Sequence, residues 1–393
     1  LSIMSRPVHD LVVVGGGVIG LAIAREAAAS GMSVVLLEKS DTGTEASGAS
    51  AGMLAAQIEA HEAGPLLSLA VKSRDLYPAF LRDLEAETGL GVDLRTEGAL
   101  VVGRDDGEMR TLEQEALAQQ AQGLPLAWLG PDDLMRVEPG LAKEIRGGFH
   151  LPREHSLDPV LLTRALRRSA EAKGVVVASR VEATRLEAGP ARAVLTADGE
   201  RYPAGAIVLA AGAWSASIGG AGFTPPPAEP VRGQIVCFRA PGLLSHIVVG
   251  RDAYLVPRGD GRLLVGSTME RQGFDRSVTA SGLARLTSAA LLLVPALADA
   301  PLHGAWAGLR PGSPDGLPVI GRLGDGVYAA CGHLRLGVTL APITARLVAA
   351  LVAGKEPEVD LSPFRPERFA APAVTSSAPP PSGAARARPE NRP

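Results

Sequence analysis

The sequence predicts a mixed α/β fold, α+β overall, in which a parallel sheet begun by a βαβ unit carries an inserted, mainly antiparallel second sheet. Three observations predict it. Residues 10–38 read in turn as strand, glycine turn, amphipathic helix and second strand: DLVVV, GGGVIG, LAIAREAAAS, GMSVVLLE. Between Val231 and Met269 the runs QIVCFRA, HIVVGRD, AYLVPRG and RLLVGST are short strands with turn residues between them, as in an antiparallel sheet. No solenoid repeat and no long linker separates independent units before residue 369, so two domains must interleave.

The remaining elements follow from the same periodicities. Residues 67–88 have helical apolar spacing, with Pro78 a kink or restart point. Arg164 to Lys173 is a further helix, with Gly174 where a C-cap glycine belongs, and GVVVASRV is the next strand. RYPAGAIVLAAGAW holds a buried strand, Ala206 to Ala211, ending in small residues that let a ligand approach the backbone. In GVTLAPITARLVAALVAG, Thr339 is placed to cap a helix whose Ile343, Leu347, Val348 and Leu351 face a sheet. The stretch 370–393, dominated by Ala, Pro, Ser and Arg, is expected to be a disordered tail.

Composition narrows the function. A hydrophobic share of 46% over 393 residues excludes disorder of the whole, and a net charge of −3 marks no platform for nucleic acid or anionic membrane. A small neutral or zwitterionic partner fits better. Cys237 and Cys331 are too few for a disulfide framework or thiolate cage, and the seven histidines lack ligand spacing, so no metal is expected and a reducing cytoplasm is. The apolar run Leu11 to Ala29 is broken by four glycines, Arg25 and Glu26, which reads as fold and not as signal peptide or membrane span.

Gly15, Gly17 and Gly20 form G-x-G-x-x-G between a strand and a helix, with Glu38 eighteen positions further on at the end of the next strand. Gly15 permits the tight turn, Gly17 admits a pyrophosphate to the backbone, and Gly20 lets the helix pack closely. Val18 and Ile19 lie between the glycines at the helix start, and Glu38 is placed to accept from an adenosine ribose. FAD and NAD share this fingerprint. No second fingerprint occurs, and after Lys39 comes the small-residue segment ASGASAGMLAA, with Ser47, Ser50, Ala51, Gly52 and Met53, against which a planar ring can lie. Flavin is favoured.

From about residue 8 to 369 the chain resembles the D-amino-acid oxidase superfamily of FAD-dependent oxidoreductases, and within it the glycine oxidase branch of thiamine biosynthesis. The resemblance rests on VVVGGGVIGLAIA with EKS, ASAGMLAA, IVLAAGAWS, YLVPR with VGSTM, GLRPGSPDGLPVIG, and GHLRLGVTLAP, in that order. It implies a Rossmann-like FAD-binding domain from residues 5–80, 150–225 and 303–369, and an inserted substrate-binding domain from 81–149 and 226–302. It also implies hydride transfer from the α-carbon of a small amine or amino acid to FAD, reoxidation by O2 to hydrogen peroxide, and hydrolysis of the imine. Homo-oligomers are common in the family.

Residue by residue, the resemblance makes Arg310 the group that grips a substrate carboxylate and Tyr254 its neighbour, with Met269 in the apolar pocket and Arg335 also among the substrate-binding residues. Val181 contacts the adenine side. Ala211, Gly212 and Trp214 of IVLAAGAWS, and His333, Leu334, Arg335, Leu336, Gly337, Val338 and Thr339 of GHLRLGVT, run past the cofactor. The Thr339 helix is expected to point its positive end at the flavin and stabilise charge on the reduced ring, so no general base is needed. Two departures stand out: Leu334 and Leu336 flank Arg335 where relatives have an aromatic and an asparagine, and Asp252 replaces a histidine, changing charge at the pocket entrance. No cysteine lies in LRPGSPDG, the region of covalent attachment in related sarcosine oxidases, so FAD is expected to be noncovalent with Cys331 a core thiol. A dehydrogenase using another electron carrier and a flavin-binding module without turnover are the alternatives.

Overall fold

The computed structural model describes residues 7–60 and 62–370; the expected tail lies outside the described residues from position 371 onward. The strand His9–Val14 pairs in parallel with Val34–Glu38 on one side and Arg201–Leu209 on the other. Val176–Ser179 extends the sheet beyond the first, and Val327–Cys331 beyond the second, both in parallel. Because successive strand residues face opposite ways, Leu11, Val13 and Leu36 enter one core while Val12, Val14, Val35 and Leu37 enter another. The first core is closed by the helices Val18–Ala29, Pro65–Thr88, Pro159–Ala172 and Gly337–Val352. The second is closed by Leu186 and Val194 of the antiparallel strands Ala183–Glu187 and Ala193–Thr196. With both faces covered, the strands read as unbroken apolar runs.

A second, eight-stranded sheet among the described residues includes Glu229–Arg239, Ile247–Val249, Tyr254–Pro257, Arg262–Gly266 and Leu302–Gly312; its neighbours pair antiparallel except that Ile247–Val249 runs parallel to Ala99–Gly103. It is mainly antiparallel, as expected. Its membership crosses the boundaries expected at 149/150 and 302/303, because Gly147–Leu151 pairs with Ala99–Gly103 and Leu302–Gly312 pairs with Glu229–Arg239 along its length. Arg310 therefore rides on the second sheet. The helix Pro65–Thr88 also crosses its expected boundary at 80/81, since Leu81 and Leu84 pack in the first core.

Local departures have simple causes. Pro78 does not restart its helix, which runs unbroken from Pro65 to Thr88; it sits on the exposed face, where the carbonyl it leaves unbonded can meet water. The helix expected from Arg164 begins at Pro159, where Asp158 accepts from the amides of Val160 and Leu161 and proline fits the first turn. The buried strand stops at Leu209, two residues before the expected Ala211, as the chain turns into the 3-10 segment Gly212–Ser217.

Two side chains, Arg258 and Trp306, help fasten the sheets together. Arg258 of the second sheet's hairpin donates to the Ala51 carbonyl at 2.7 Å and also to the Leu157 carbonyl, and Trp306 Nε1 donates to the Ala49 carbonyl at 3.0 Å. Within the helix layer of the first core, Glu87 knots three helices by accepting from Arg25 at 2.8 and 3.1 Å, from Lys173 at 3.0 Å, and from Ser169. Burial works to raise the Glu87 carboxyl, but the hydrogen bonds from Arg25, Ser169 and Lys173 prevail and hold it down at about 2 against an ordinary 4.5. A carboxyl with a lowered folded value stabilises above its unfolded value and loses that contribution as pH falls toward the folded one. Glu87→Gln is thus expected to cost on the order of 1 kcal/mol at pH 7, allowing for solvent screening, in urea unfolding. The difference from the parent should shrink steadily below about pH 4.5; a difference independent of pH would show that the knot is not held by charge.

Candidate active site

The glycine turn is built by contact. A side chain at Gly15, which has φ +110°, would strike the Ala210 carbonyl, and one at Gly20 would strike the carbonyl of Gly15. Gly17 is the N-cap of Val18–Ala29 and offers no side-chain acceptor, so that helix presents its positive end to the space in front of it. The amide of Val18 bonds Ser47 Oγ at 3.0 Å. Glu38 differs from expectation in part: its carboxylate already accepts from the Gly16 amide at 2.7 Å and from the amide and hydroxyl of Ser40 at 2.8 and 2.9 Å. Of its roughly four acceptor positions, about one stays open toward a ligand.

One elongated cavity runs from this turn, between the two sheets, to Arg310 and Tyr254. Gly15, Gly17, Val18, Ile19, Glu38, Lys39, Ser47, Ser50, Ala51, Gly52, Met53, Val181, Ala211, Gly212, Trp214, Tyr254, Arg310, His333, Leu334, Arg335, Gly337 and Val338 all line it. Gly20 does not, in keeping with its packing role. Three expected residues are displaced. Met269 lies beyond the end of Arg262–Gly266, is 53% exposed, and borders a separate hollow with Val231 and Leu334. Leu336 is buried in the helix-side core. Thr339 is not a cap, because the helix begins at Gly337 after an N-cap at Leu336; its hydroxyl reaches the Met53 carbonyl at 3.3 Å instead. Asp252 is exposed on a turn and does not line the cavity, so it leaves the pocket's charge to others.

The far end holds the chemistry. Arg310 donates to the Thr268 carbonyl at 3.1 Å and to Ser267 Oγ at 2.6 Å, and among the described residues no carboxylate lies within ion-pair distance of it. Burial pulls its guanidinium below the ordinary value, and Tyr254 lies close enough to act on it. Both side chains lie over glycines of the same sheet: a side chain at Gly233 would strike the Arg310 guanidinium, and one at Gly266, directly across from Tyr254, would strike the phenol. The second cation, Arg335, is already matched, its Nε and Nη2 lying 2.6 and 2.7 Å from the carboxylate of Glu59. His333 is buried with Nε2 3.1 Å from Thr344 Oγ1, and burial takes it down to about 3; the Cys331 thiol is pushed by burial up to about 12. Both are neutral near pH 7. Sequence reasoning did not find Glu59, Gly233 or Ser267. Gly233, inside the run VRGQIV, carried the one available signal, a glycine interrupting a buried strand.

The residues suit a flavin dinucleotide. The helix Gly337–Val352, like Val18–Ala29, has no side-chain cap, and its first residues Gly337 and Val338 line the same cavity, giving two positive helix ends for anionic groups. Between them Ala49, Ala51 and Gly52 keep the wall free of bulk. Lys39 stands 3.2 Å over the Trp214 ring, and burial lowers its ammonium below the ordinary value. Among the described residues no cluster of His, Cys, Asp or Glu could hold a metal.

Residues 10–351 match the family model described as DAO, FAD dependent oxidoreductase. The chain is 36% identical over 361 residues to glycine oxidase of Geobacillus kaustophilus, spanning 91% of this chain and 96% of that one. It is 34% identical to the bifunctional protein ThiO/ThiG of Synechocystis sp., over 94% of this chain and 55% of the longer protein. The crystal structure of glycine oxidase from Geobacillus kaustophilus superposes with a TM-score of 0.88 at 35% identity, over 92% of this chain and 99% of that one.

The space over Gly233 yields a direct test. Gly233→Ala is expected to push the guanidinium off Thr268 and Ser267 and to weaken a small carboxylate such as acetate by about tenfold or more in calorimetric titration, the factor that ~1.4 kcal/mol represents. Circular dichroism should stay unchanged. Equal affinity in the two proteins would mean that the guanidinium does not bind the carboxylate.

Proposed function

Since the chain belongs to the family of FAD dependent oxidoreductases, we propose that it oxidises glycine or another small amino acid or amine, with dioxygen as electron acceptor. The observation that carries this reading is Arg310: a desolvated cation without a carboxylate partner among the described residues, beside Tyr254, in the same cavity as the glycine turn. A partly buried charge of this kind calls for an anion, and a planar fork matches a carboxylate at both oxygens.

Gly15, Gly17, Glu38 and Val181 would hold the adenosine and pyrophosphate portion of FAD, and Ala51, Gly52, Met53, Gly337 and Val338 would hold the ring end. Bound there, FAD supplies the acceptor for a hydride from the substrate α-carbon. Arg310, steadied by Thr268 and Ser267, orients the substrate through its carboxylate, and the Tyr254 phenol offers a hydrogen bond beside it. His333 is an unsuitable base, being deeply buried and turned toward Thr344. The substrate amine must therefore arrive neutral, having released its proton to solvent, and loss of hydride from carbon then leaves a protonated imine. The amide-rich start of Gly337–Val352 favours negative charge at that end of the cavity by roughly 0.3–1 kcal/mol. Water converts the imine to a carbonyl acid and ammonia, and dioxygen takes the two electrons and two protons to become hydrogen peroxide.

Noncovalent cofactor binding belongs to the same proposal, supported by a Cys331 thiol held at about 12 and thus un-ionised at neutral pH. Acid precipitation should leave yellow FAD in the supernatant; colour retained on the denatured chain would contradict this. Two free, buried cysteines support a reducing, cytoplasmic setting, and no helix among the described residues is long and apolar enough to cross a membrane. A place in thiamine biosynthesis is supported by the glycine oxidase resemblance.

Substrate choice is read by mixing the enzyme anaerobically with glycine, sarcosine, D-alanine and D-proline, then admitting air and measuring peroxide. Flavin bleaching without peroxide would favour a dehydrogenase, and no bleaching by any amine would remove the oxidase reading. Arg310→Ala should raise the dissociation constant of the amino-acid substrate by about 30-fold to several thousand-fold, from the ~2–5 kcal/mol cost of removing one partner of a buried charge pair. Arg310→Lys should recover only part, and FAD content should persist in both. Oxidation of an amine lacking a carboxylate should be nearly indifferent to either change.

A further inference from the structure

Three side chains set the charge at the substrate end of the cavity. Arg310 is unmatched, whereas Arg335 and Glu59 face each other in a two-point ion pair at 2.6 and 2.7 Å. All three belong to one electrostatic site, since Arg335 opposes and Glu59 favours the charge on Arg310. His333 and Cys331, which also line the cavity, are neutral at pH 7. Two cations and one anion leave a single positive charge, equal and opposite to a substrate with one carboxylate and a neutral amine.

The pair is held in place from both sides. Arg335 follows Leu334, whose φ of +45° is unusual for a residue with a side chain and whose amide bonds the Pro311 carbonyl at 2.8 Å, next to Arg310. Glu59 ends the short turn Ala56–Glu59, in which the Gln57 and Ile58 amides donate to Glu154 at 3.1 and 3.4 Å. Glu154 is itself buried and paired with Arg74 at 2.7 Å. Glu59 thus sits on a fastened support and is only 7% exposed, while Arg335 is 36% exposed and could be hydrated if its partner were neutral.

We propose that Glu59 determines specificity by occupying Arg335, so that the site accepts amines with one carboxylate and rejects those with a second acidic group. Arg335 is then a latent second anion site. A second carboxylate would find Arg335 taken and the Glu59 charge beside it, a like-charge encounter that disfavours binding. The inference rests on Arg310 being the carboxylate site of the proposed function.

The test uses the FAD-loaded full chain and unreactive ligands, acetate against malonate and succinate, as competitors of glycine oxidation and by their effect on the flavin absorbance. Glu59→Gln keeps the side chain's size and removes its charge. It is expected to tighten the better dicarboxylate by about tenfold or more relative to acetate, and adding Arg335→Gln should cancel that gain. Arg335→Gln alone leaves Glu59 unmatched and is expected to weaken both ligand classes, the dicarboxylates more. A dicarboxylate-to-acetate ratio within about threefold of the parent in Glu59→Gln, or equal affinities in Arg335→Gln, would overturn the proposal, leaving the ion pair a fastening of two turns. Arg310→Ala separates the two readings. If it binds acetate as the parent does, the carboxylate site itself has been misplaced; if it loses acetate while Glu59→Gln leaves the ratio unmoved, the specificity role alone fails.

Discussion

A guanidinium partly withdrawn from water without a carboxylate to meet it is the constraint around which this structure is arranged. Arg310 keeps two neutral acceptors, the Thr268 carbonyl and Ser267 Oγ, which hold its direction without cancelling its charge. Neutral acceptors are the right choice for a group whose counter-ion arrives with the substrate, because an internal carboxylate would compete for the same fork. The surrounding sheet is shaped to allow this. Gly233 removes the side chain that would occupy the guanidinium's place, and Gly266 does the same for the adjacent Tyr254 ring.

The same constraint explains why the cavity lies at a seam. A parallel sheet supplies a strand-turn-helix start whose N-cap glycine, with only the Val18 amide taken by Ser47, suits a dinucleotide, but its strand faces are filled by two apolar cores and have no room for a charged pocket. The antiparallel sheet supplies the charged end. Arg258 and Trp306 tie the small-residue segment around Ala49 and Ala51 to that second sheet through backbone carbonyls, which fixes the spacing of the two walls without adding bulk between them.

Charge inside the cavity is kept sparse by burial. Desolvation keeps His333 and Cys331 uncharged at neutral pH, and an ion pair neutralises Arg335, so Arg310 is left as the unmatched cation at the substrate end among the described residues. Helix ends provide the remaining polarity. Their partial charges lie on backbone amides and need no ionisable side chain, which suits a redox site that must stabilise transient negative charge without offering a strong acid.

What the sequence determined by itself was local or repetitive. The glycine turn, the apolar strands and the helices were legible because each rests on short-range sterics or on a burial period that a few neighbouring residues express. The family segments added Arg310 and Tyr254, which the fold does bring together. What only the tertiary structure decided depends on contacts between distant segments. Leu302–Gly312 joined the antiparallel sheet through its long pairing with Glu229–Arg239, and Met269 fell outside the cavity because it lies past the end of its strand. The helix that closes GHLRLG began at its last residue, Gly337, without using Thr339, whose hydroxyl turned to Met53 instead. Glu59 shows the reason most plainly. Its partner Arg335 is hundreds of residues away, and no periodicity in either neighbourhood records that folding sets a carboxylate against a guanidinium there, since an ion pair is specified by geometry in space and not by spacing along the chain.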